Sequence, residues 1–345
     1  MRRAPFSRAA PSLSAAFACA ACLARGDASP GAMPSAQAAG PVPAASATPS
    51  GDRPATTEGP NTAARPPGGG LTLAQARAYM VELINRDRAS AGLGPVVLDE
   101  GPATHAGQAH ADDMARHGYL GHWGTDGSVP EQRFTEAGGV DMVLENASCF
   151  TDERPRKLDA APRIDRAAIE GAEGMFFHER PPNDGHRQNI LKRWHKRVGI
   201  GVAIPVATPT EIPTPCFAQE FVDPYGRYAS APRRVRVGTT LHVEGEITGP
   251  ASFAGVGLAR VDPPKGLTVA ELNRRRSYPI PAPYQMYWPA GYETPVPVQI
   301  TGRRFSIDVP ASDHGRVGMY ELSVWAVFPG STEPVMVSLR TFDGL

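Results

Sequence analysis

The sequence predicts two folded regions: an α/β region with helices on both sides of a small antiparallel sheet, then an all-β, sandwich-like C-terminal region. Between about residues 71 and 228, apolar residues recur mainly at helical spacing, with two strand-like runs near the end. From about residue 229 to residue 345, apolar and polar residues alternate in short runs separated by Gly- and Pro-rich turns. A length of 345 residues accommodates about two domains of ordinary size.

The charge balance and the hydropathy pattern exclude some classes of protein. The 35 Lys and Arg residues equal the 35 Asp and Glu residues, which gives a formal net charge of +0. A protein whose main role is to bind nucleic acid needs an excess of basic over acidic residues, so no nucleic-acid partner is expected. No stretch approaches the roughly 20 consecutive apolar residues that span a bilayer. The hydrophobic share of 41% is ordinary for a globular protein with a buried core.

Residues 1–25 have the pattern of a signal peptide or a lipoprotein signal. A positive start at Arg2 and Arg3 precedes a short, alanine-rich apolar stretch. The alternative is a disordered tail that is never cleaved. Cys19 and Cys22 lie at the end of the stretch, where a bacterial lipoprotein carries its acylated cysteine, so a membrane tether through either one stays open. We expect an exported protein, either extracellular or attached to the cell envelope.

Residues 26–70 are predicted to be a disordered linker. They are nearly all Ala, Pro, Gly, Ser and Thr, and they include no aromatic residue. Such a segment cannot bury enough apolar surface to offset the entropy lost on ordering it. We therefore expect a flexible tether in front of the folded part.

The α/β region, taken as residues 71–228, begins with a helix near Leu71 that has Thr72 as a candidate N-cap. The remaining elements predicted for this region are helices at about 101–117, 130–137 and 165–179 and strands at 198–205 and 216–223.

The C-terminal region, residues 229–345, is predicted to be a β-sandwich-like domain. Its predicted strands are 234–237, 240–247, 298–300, 305–309, 320–327 and 335–339. A short helix is predicted at 270–276, within a long loop. The aromatic- and proline-rich run at 278–289 has two interpretations: a binding edge for glycan or peptide, or a loop packed over the sheet.

Histidines are concentrated in the α/β region, where seven of the nine fall between His105 and His195. Four side chains are candidates for a functional site. They are His122 in a Gly-rich loop, Glu145 after the apolar residues 142–144, Glu179 at the end of a predicted helix, and His186. Two imidazoles and two carboxylates can form a site for zinc, copper or nickel. Their spacing in the sequence does not fix how far apart they lie.

Residues 71–228 resemble the CAP superfamily of cysteine-rich secretory proteins, antigen 5 and pathogenesis-related proteins, in its bacterial branch (the SCP-like extracellular domain). The resemblance rests on the order and spacing of several short pieces. They lie at 84–95, 110–114, 121–122, 126–127, 145–147, 176–181, 185–191, 198–203 and 219–221.

The resemblance implies a three-layer α-β-α sandwich with a large cleft. It implies that His122, Glu145, Glu179 and His186 form the family's cleft tetrad, which binds a ligand and can hold zinc or another divalent cation. Some family members bind lipids or sterols, so a small hydrophobic ligand or a cell-envelope component is the implied partner. Glu179 matches the glutamate that follows an aromatic pair in the family, here Phe176 and Phe177, where the family often has Trp.

The other histidines have simpler interpretations. His110 is expected to be a hydrogen-bonded core residue, and His105 and His117 are expected at the surface or a helix end. His195 lies among four basic residues and is expected to be solvated. No residue is assigned a catalytic role, and the string that includes His178, Glu179 and His186 does not have the spacing of a zinc-protease helix.

Cys149 and Cys216 are the two cysteines of the α/β region. Export would favour a disulfide between them. Two buried free thiols are the alternative, because the sequence does not give the geometry.

Three function classes remain open at this stage. The first is a secreted or surface-tethered protein that binds a ligand at the tetrad. The second is a hydrolase in which Glu145 or Glu179 acts as general base on a metal-bound water. The third is a wall or surface adhesion protein with a non-catalytic CAP domain. No nucleophile beside a base is evident, and the sequence does not decide whether the protein is an enzyme.

Overall fold

The helices and strands of the α/β region follow one another closely along the chain. The computed structural model describes residues 69–275 and 277–345, so the predicted signal (1–25) and nearly all of the predicted linker (26–70) lie outside the described residues. The elements are α1 (Leu73–Ser90), β1 (Val97–Leu98), α2 (Pro102–His117), α3 (Pro130–Glu136), β2 (Met142–Ser148), α4 (Arg166–Phe177), α5 (Gly185–Leu191), β3 (Arg197–Ala203) and β4 (Cys216–Asp223).

The sheet of this region has the order β1-β3-β4-β2, in which β3 and β2 are antiparallel to β4. Alternate residues of β3 point to opposite faces. Val198, Ile200 and Val202 pack with buried residues of α1 and α4. On the other face, a Cβ on Gly201 would lie 2.0 Å from the carbonyl oxygen of Gly107 in α2. Helix α2 therefore approaches the strand backbone so closely that only glycine fits there.

The C-terminal region is rich in sheet. Its elements are β5 (Gly226–Tyr228), β6 (Arg234–Val235), β7 (Thr240–Ile247), β8 (Ser252–Val261), α6 (Val269–Arg274), β9 (Gln285–Tyr287), β10 (Gln299–Thr301), β11 (Arg304–Pro310), β12 (Gly318–Val327) and β13 (Val335–Gly344). They form two sheets of order β10-β11-β7-β5 and β6-β13-β12-β8-β9. Apolar residues from both sheets share one buried cluster.

The sheet-rich region packs directly on the α/β region. The ring of Trp194 stacks on Phe328 with 3.9 Å between centroids. The hydroxyl of Ser338 in β13 donates to the carbonyl of Val140, just before β2. Residues Gly69–Leu345 accordingly form one compact unit. None of the helices in the described ranges is long and apolar enough to cross a bilayer.

The predicted helices were right to within about two residues, but the sequence analysis missed β1, β2, β5, β8, β9 and α5. Three of these omissions have an identifiable cause. Strand β2 carries the buried polar pair Glu145 and Asn146, which masks its apolar pattern. Strand β8 contains Gly255 and Gly257, where Trp288 and Met286 fill the space that side chains would take. Helix α5 has no regular apolar spacing, and its N-terminus is capped from a distance by Glu179, as described below.

Cys149 and Cys216 are joined by a disulfide, as the sequence suggested. Cys149 directly follows β2 and Cys216 begins β4, so the bond joins two neighbouring strands of the same sheet. Cys216 is fully buried beside Ala147 and Ala203. The alternative of two buried free thiols is therefore wrong.

Opening the disulfide should destabilise the fold. Cys149→Ala removes a cross-link between residues 67 apart in sequence, and the loop-closure entropy that it restricts corresponds to about 4 kcal/mol. We expect a loss of that order in the free energy of unfolding, measured by urea denaturation. Wild type in a thiol reductant should show a similar loss, and a wild type that is insensitive to reductant would contradict this role.

Candidate functional site

His122 and Glu145 form one of two imidazole–carboxylate pairs. His122 lies in the loop between α2 and α3, and Glu145 lies in the middle of β2. The Nδ1 atom of His122 is 2.9 Å from Oε1 of Glu145. The carboxylate is fully buried, whereas the imidazole side chain is 20% exposed. The buried strand therefore fixes one edge of a ring that solvent reaches.

His186 and Glu179 form the second pair. Glu179 lies just after α4, and His186 is the second residue of α5. The Nδ1 atom of His186 is 2.6 Å from Oε1 of Glu179. The other carboxylate oxygen accepts the backbone N–H of His186 at 2.9 Å, so Glu179 also caps α5. The His186 side chain is 29% exposed.

The two pairs lie side by side, because the ring centroids of His122 and His186 are 6.2 Å apart. The structure thus brings together all four residues that the sequence singled out. The Nδ1 atom of each ring is within hydrogen-bond distance of a carboxylate oxygen. Among the described residues, no hydrogen bond involves Nε2 of either ring.

Glu145 is charged because of Arg133 in α3. The Nη2 atom of Arg133 lies 2.7 Å from Oε2 of Glu145. Burial by itself raises the pKa of Glu145, but His110, Arg133 and the hydrogen bond from His122 outweigh it and hold the pKa far below its ordinary value. Because burial lowers the pKa of His110 to about 4, that ring is neutral near pH 7. Arg133 is therefore the cation that keeps Glu145 ionised.

Glu220 lies opposite Glu145 in the sheet, at the paired position on β4. Burial, and then the charge of Glu145, raise the pKa of Glu220 well above its ordinary value. Burial and the neighbouring charge therefore favour the protonated, neutral form of Glu220. Sequence reasoning missed both Glu220 and Arg133. A glutamate among the mainly apolar residues of the predicted strand 216–223 was the available signal for the first.

A second buried network supports the His186 side. The Asn146 side-chain amide donates to the backbone carbonyl of His186 at 3.1 Å and to Gln219 Oε1 at 3.0 Å. The Gln219 amide donates in turn to Glu173 Oε2 at 2.5 Å. Burial raises the pKa of Glu173 to about 7, although the Gln219 amide opposes this. Asn189 completes the network by donating to Asn146 Oδ1 at 2.9 Å.

The loop that carries His122 is held at several backbone atoms. Both Nη atoms of Arg133 donate to the carbonyl of His122 at 3.1 Å. Nε2 of His110 lies 2.7 Å from the carbonyl of Gly121. Asp113 accepts the backbone N–H of Thr125 at 2.8 Å. His110 is thus a hydrogen-bonded core residue, as expected. Through the Gly121 carbonyl, it also helps to hold the loop that carries His122.

The expectation that His195 is solvated was wrong. Its side chain is 1% exposed, and its Nδ1 atom lies 2.7 Å from Asp223 Oδ1. Asp223 also binds Lys192 at 3.0 Å, so a buried carboxylate offsets the basic residues nearby. Burial lowers the pKa of His195, which favours a neutral ring despite the Asp223 charge.

The donor set suits a divalent cation only in part. In residues 69–275 and 277–345, no group of three or more His, Cys, Asp or Glu side chains is arranged to hold a metal. A carboxylate on Nδ1 is nevertheless the usual outer-shell partner of a metal-ligating histidine, and it leaves Nε2 as the ligand atom. His122 and His186 would supply two ligands, fewer than the three or four of an ordinary zinc site.

The pH dependence of stability should report on Glu173. Because its pKa is about 7 in the folded protein and 4.5 ordinarily, its contribution to stability is complete below pH 4.5 and is lost as the pH rises to 7. Glu173→Gln should remove that loss, which amounts to about 3 kcal/mol. We expect urea denaturation to show a flatter profile over this interval than in wild type or in the exposed control Glu82→Gln. Equal slopes in all three proteins would contradict the assignment.

Comparison with known families identifies a match within this chain. Residues 81–204 match the family model of the cysteine-rich secretory protein family, CAP. The matched range contains all four residues of the two imidazole–carboxylate pairs, while the two C-terminal sheets lie outside it. A search of curated proteins finds no match to the chain. Residues 81–204 of this chain are a CAP domain of the cysteine-rich secretory protein family.

Proposed function

We propose that the CAP domain binds a ligand at His122 and His186, through a divalent cation that the two imidazoles share. The observation that carries the proposal is the pair of Nδ1–carboxylate contacts at 2.9 and 2.6 Å on rings whose centroids are 6.2 Å apart. Each contact favours the tautomer that has the proton on Nδ1 and the lone pair on Nε2. Two lone pairs on adjacent, partly exposed rings can bind one cation.

The small number of protein ligands is itself informative. With only His122 and His186 as ligands, a cation keeps coordination positions for water or for an oxygen of the bound ligand. Such a cation is held weakly and exchanges. When bound, it would supply a Lewis-acidic contact for a carbonyl, hydroxyl or carboxylate of the ligand.

The proposed ligand is small and partly hydrophobic, or a component of the cell envelope. The resemblance to lipid- and sterol-binding members of the CAP family suggests this class. One feature beside His186 supports it. Phe176 is buried in the core, but Phe177, which follows it, is half-buried. An apolar body can pack against the Phe177 ring while a polar group reaches the imidazoles.

Hydrolysis is the weaker candidate. A general base must be reachable by water and have a pKa near the working pH. Glu145 is fully buried, both of its oxygens are engaged by His122 and Arg133, and its pKa is held far below its ordinary value. Glu179 is 24% exposed, but its oxygens bind the His186 ring and backbone. Both carboxylates are thus better suited to orient imidazoles than to take a proton from water.

The proposal includes an exported protein with two folded domains. CAP domains are typically extracellular, and the disulfide suits an oxidising compartment. Helices on both faces of the first sheet support a three-layer α-β-α sandwich for residues 71–228. The shared core of the two later sheets supports a β-sandwich-like domain for residues 229–345. Tethering through Cys19 or Cys22 remains part of the proposal.

Zinc titration by calorimetry tests the proposed site. We expect His122→Ala and His186→Ala each to remove most of the zinc affinity of wild type, because each supplies one of two ligands. Protons compete with metal for Nε2, so affinity should fall at acidic pH. Since burial lowers the pKa of His186, that ring should remain available below the usual histidine range near 6.5.

His105→Ala is the matched control, because it removes an exposed histidine of α2 outside the site. It should bind zinc as wild type does. Equal binding by all four proteins would refute the site. Absence of zinc binding by wild type would refute the shared cation and leave direct ligand binding or surface adhesion. Mass spectrometry of small molecules that co-purify with the protein would then identify the ligand class.

A further inference from the structure

The long connection between β8 and β9 crosses from the sheet-rich region onto the CAP domain. We call residues 262–284 the strap; all of it except residue 276 is described. It contains α6, whose N-terminus has a complete capping box formed by Thr268 and Glu271. The helix is therefore ordered by its own sequence as well as by its contacts.

The strap binds the backbone of the loop that carries His122, on both sides of that residue. Two residues before it, the Leu120 N–H donates to Oδ1 of Asn273 at 3.1 Å. Three residues after it, the carbonyl of Thr125 accepts the backbone N–H of Leu267 at 2.9 Å. Arg133 and His110 contact this loop from within the CAP domain. The strap contacts the same loop from the sheet-rich region.

Close packing accompanies these hydrogen bonds. Leu272 of the strap is 1% exposed in an apolar cluster with Tyr119 and Met114 of the CAP domain. Trp123, which directly follows His122, has the Arg275 guanidinium 4.5 Å from its ring centroid and the Tyr278 ring edge-on at 5.0 Å. Little room is therefore left for the loop to move away from the strap.

The strap also contacts the helix that supplies the cation of the site. The hydroxyl of Tyr278 donates to Glu131 in α3. Glu131 is buried, and Arg133 follows it by two residues in the same helix. The strap, which lies outside the range matched by the CAP family, thus contacts both the loop that carries His122 and helix α3. Arg133 of that helix stabilises the ionised form of Glu145.

We infer that the strap is a positioning element of the tetrad, and that Asn273 is a positioning residue for His122. Without the Asn273 acceptor, the Leu120 N–H donates to water instead. The loop then samples conformations in which the hydrogen bond between His122 and Glu145 is broken. Ligand affinity then falls in proportion to the fraction of molecules that keep the bonded geometry. This effect on affinity rests on the proposed function, whereas the effect on the His122–Glu145 hydrogen bond does not.

The test compares Asn273→Ala with two matched variants in the full chain. Asn273 also donates to Glu153 at 3.4 Å, so Glu153→Ala removes that contact and leaves Leu120 bonded. Asn273→Asp in the Glu153→Ala background restores an acceptor oxygen without placing two carboxylates together. The readouts are the imidazole Nδ1–H NMR signals of His122 and His186, zinc calorimetry, and thermal unfolding.

In Asn273→Ala we expect the His122 Nδ1–H signal to broaden or disappear through exchange with water, while the His186 signal persists. Zinc affinity should fall about three- to tenfold, as expected when the bonded geometry drops to a minor population. Glu153→Ala should behave as wild type, and the Asp variant should recover the His122 signal. Selective loss at His122 supports positioning, whereas equal loss at both rings would indicate general destabilisation and overturn it.

An unchanged His122 signal in Asn273→Ala would also overturn the inference, whatever zinc does. If wild type binds no zinc, the proposed cation site fails, and the His122 signal alone decides the role of the strap. The two failures are therefore distinguishable.

Discussion

The ion pair between Arg133 and Glu145 is the interaction on which the site depends. A carboxylate with no solvent exposure needs a cation, and Arg133 supplies it at 2.7 Å. The same guanidinium binds the backbone carbonyl of His122, so it fixes both the acceptor and the loop that carries the donor. With Glu145 held ionised, the His122 ring has one favourable orientation, in which Nδ1 faces the carboxylate. The short helix α3 therefore matters less for its length than for this one side chain.

The two halves of the site are built on opposite faces of one sheet. Glu145 and Asn146 are consecutive residues of β2, so they point to different faces. Glu145 pairs across the strands with Glu220 and meets Arg133, whereas Asn146 pairs with Gln219 and reaches the His186 backbone. This dipeptide of the edge strand β2 thereby orients both histidines. Any shift in the register of β2 would exchange the two faces and destroy both supports at once.

Much of this arrangement was available from the sequence, and the limits have physical causes. The tetrad residues were identified because imidazoles and carboxylates at those positions resemble a known family. Their support was not foreseen because Arg133 lies in a short helix and Glu220 in a strand of mainly apolar residues, and only tertiary contacts give these two residues a role. His195 was misjudged because its basic neighbours in sequence suggested solvent, while Asp223, its partner in space, is 28 residues away. The strap could not be foreseen, since docking of one region on another leaves no local periodicity.

Anomalous diffraction at the zinc edge, from crystals of the full chain grown with zinc, shows directly whether His122 and His186 share a cation. We expect one peak at about 2.0–2.1 Å from Nε2 of both His122 and His186, with Glu145 and Glu179 still bound to the two Nδ1 atoms. A peak coordinated by the carboxylates instead, or no peak between the two rings at saturating zinc, would contradict this expectation.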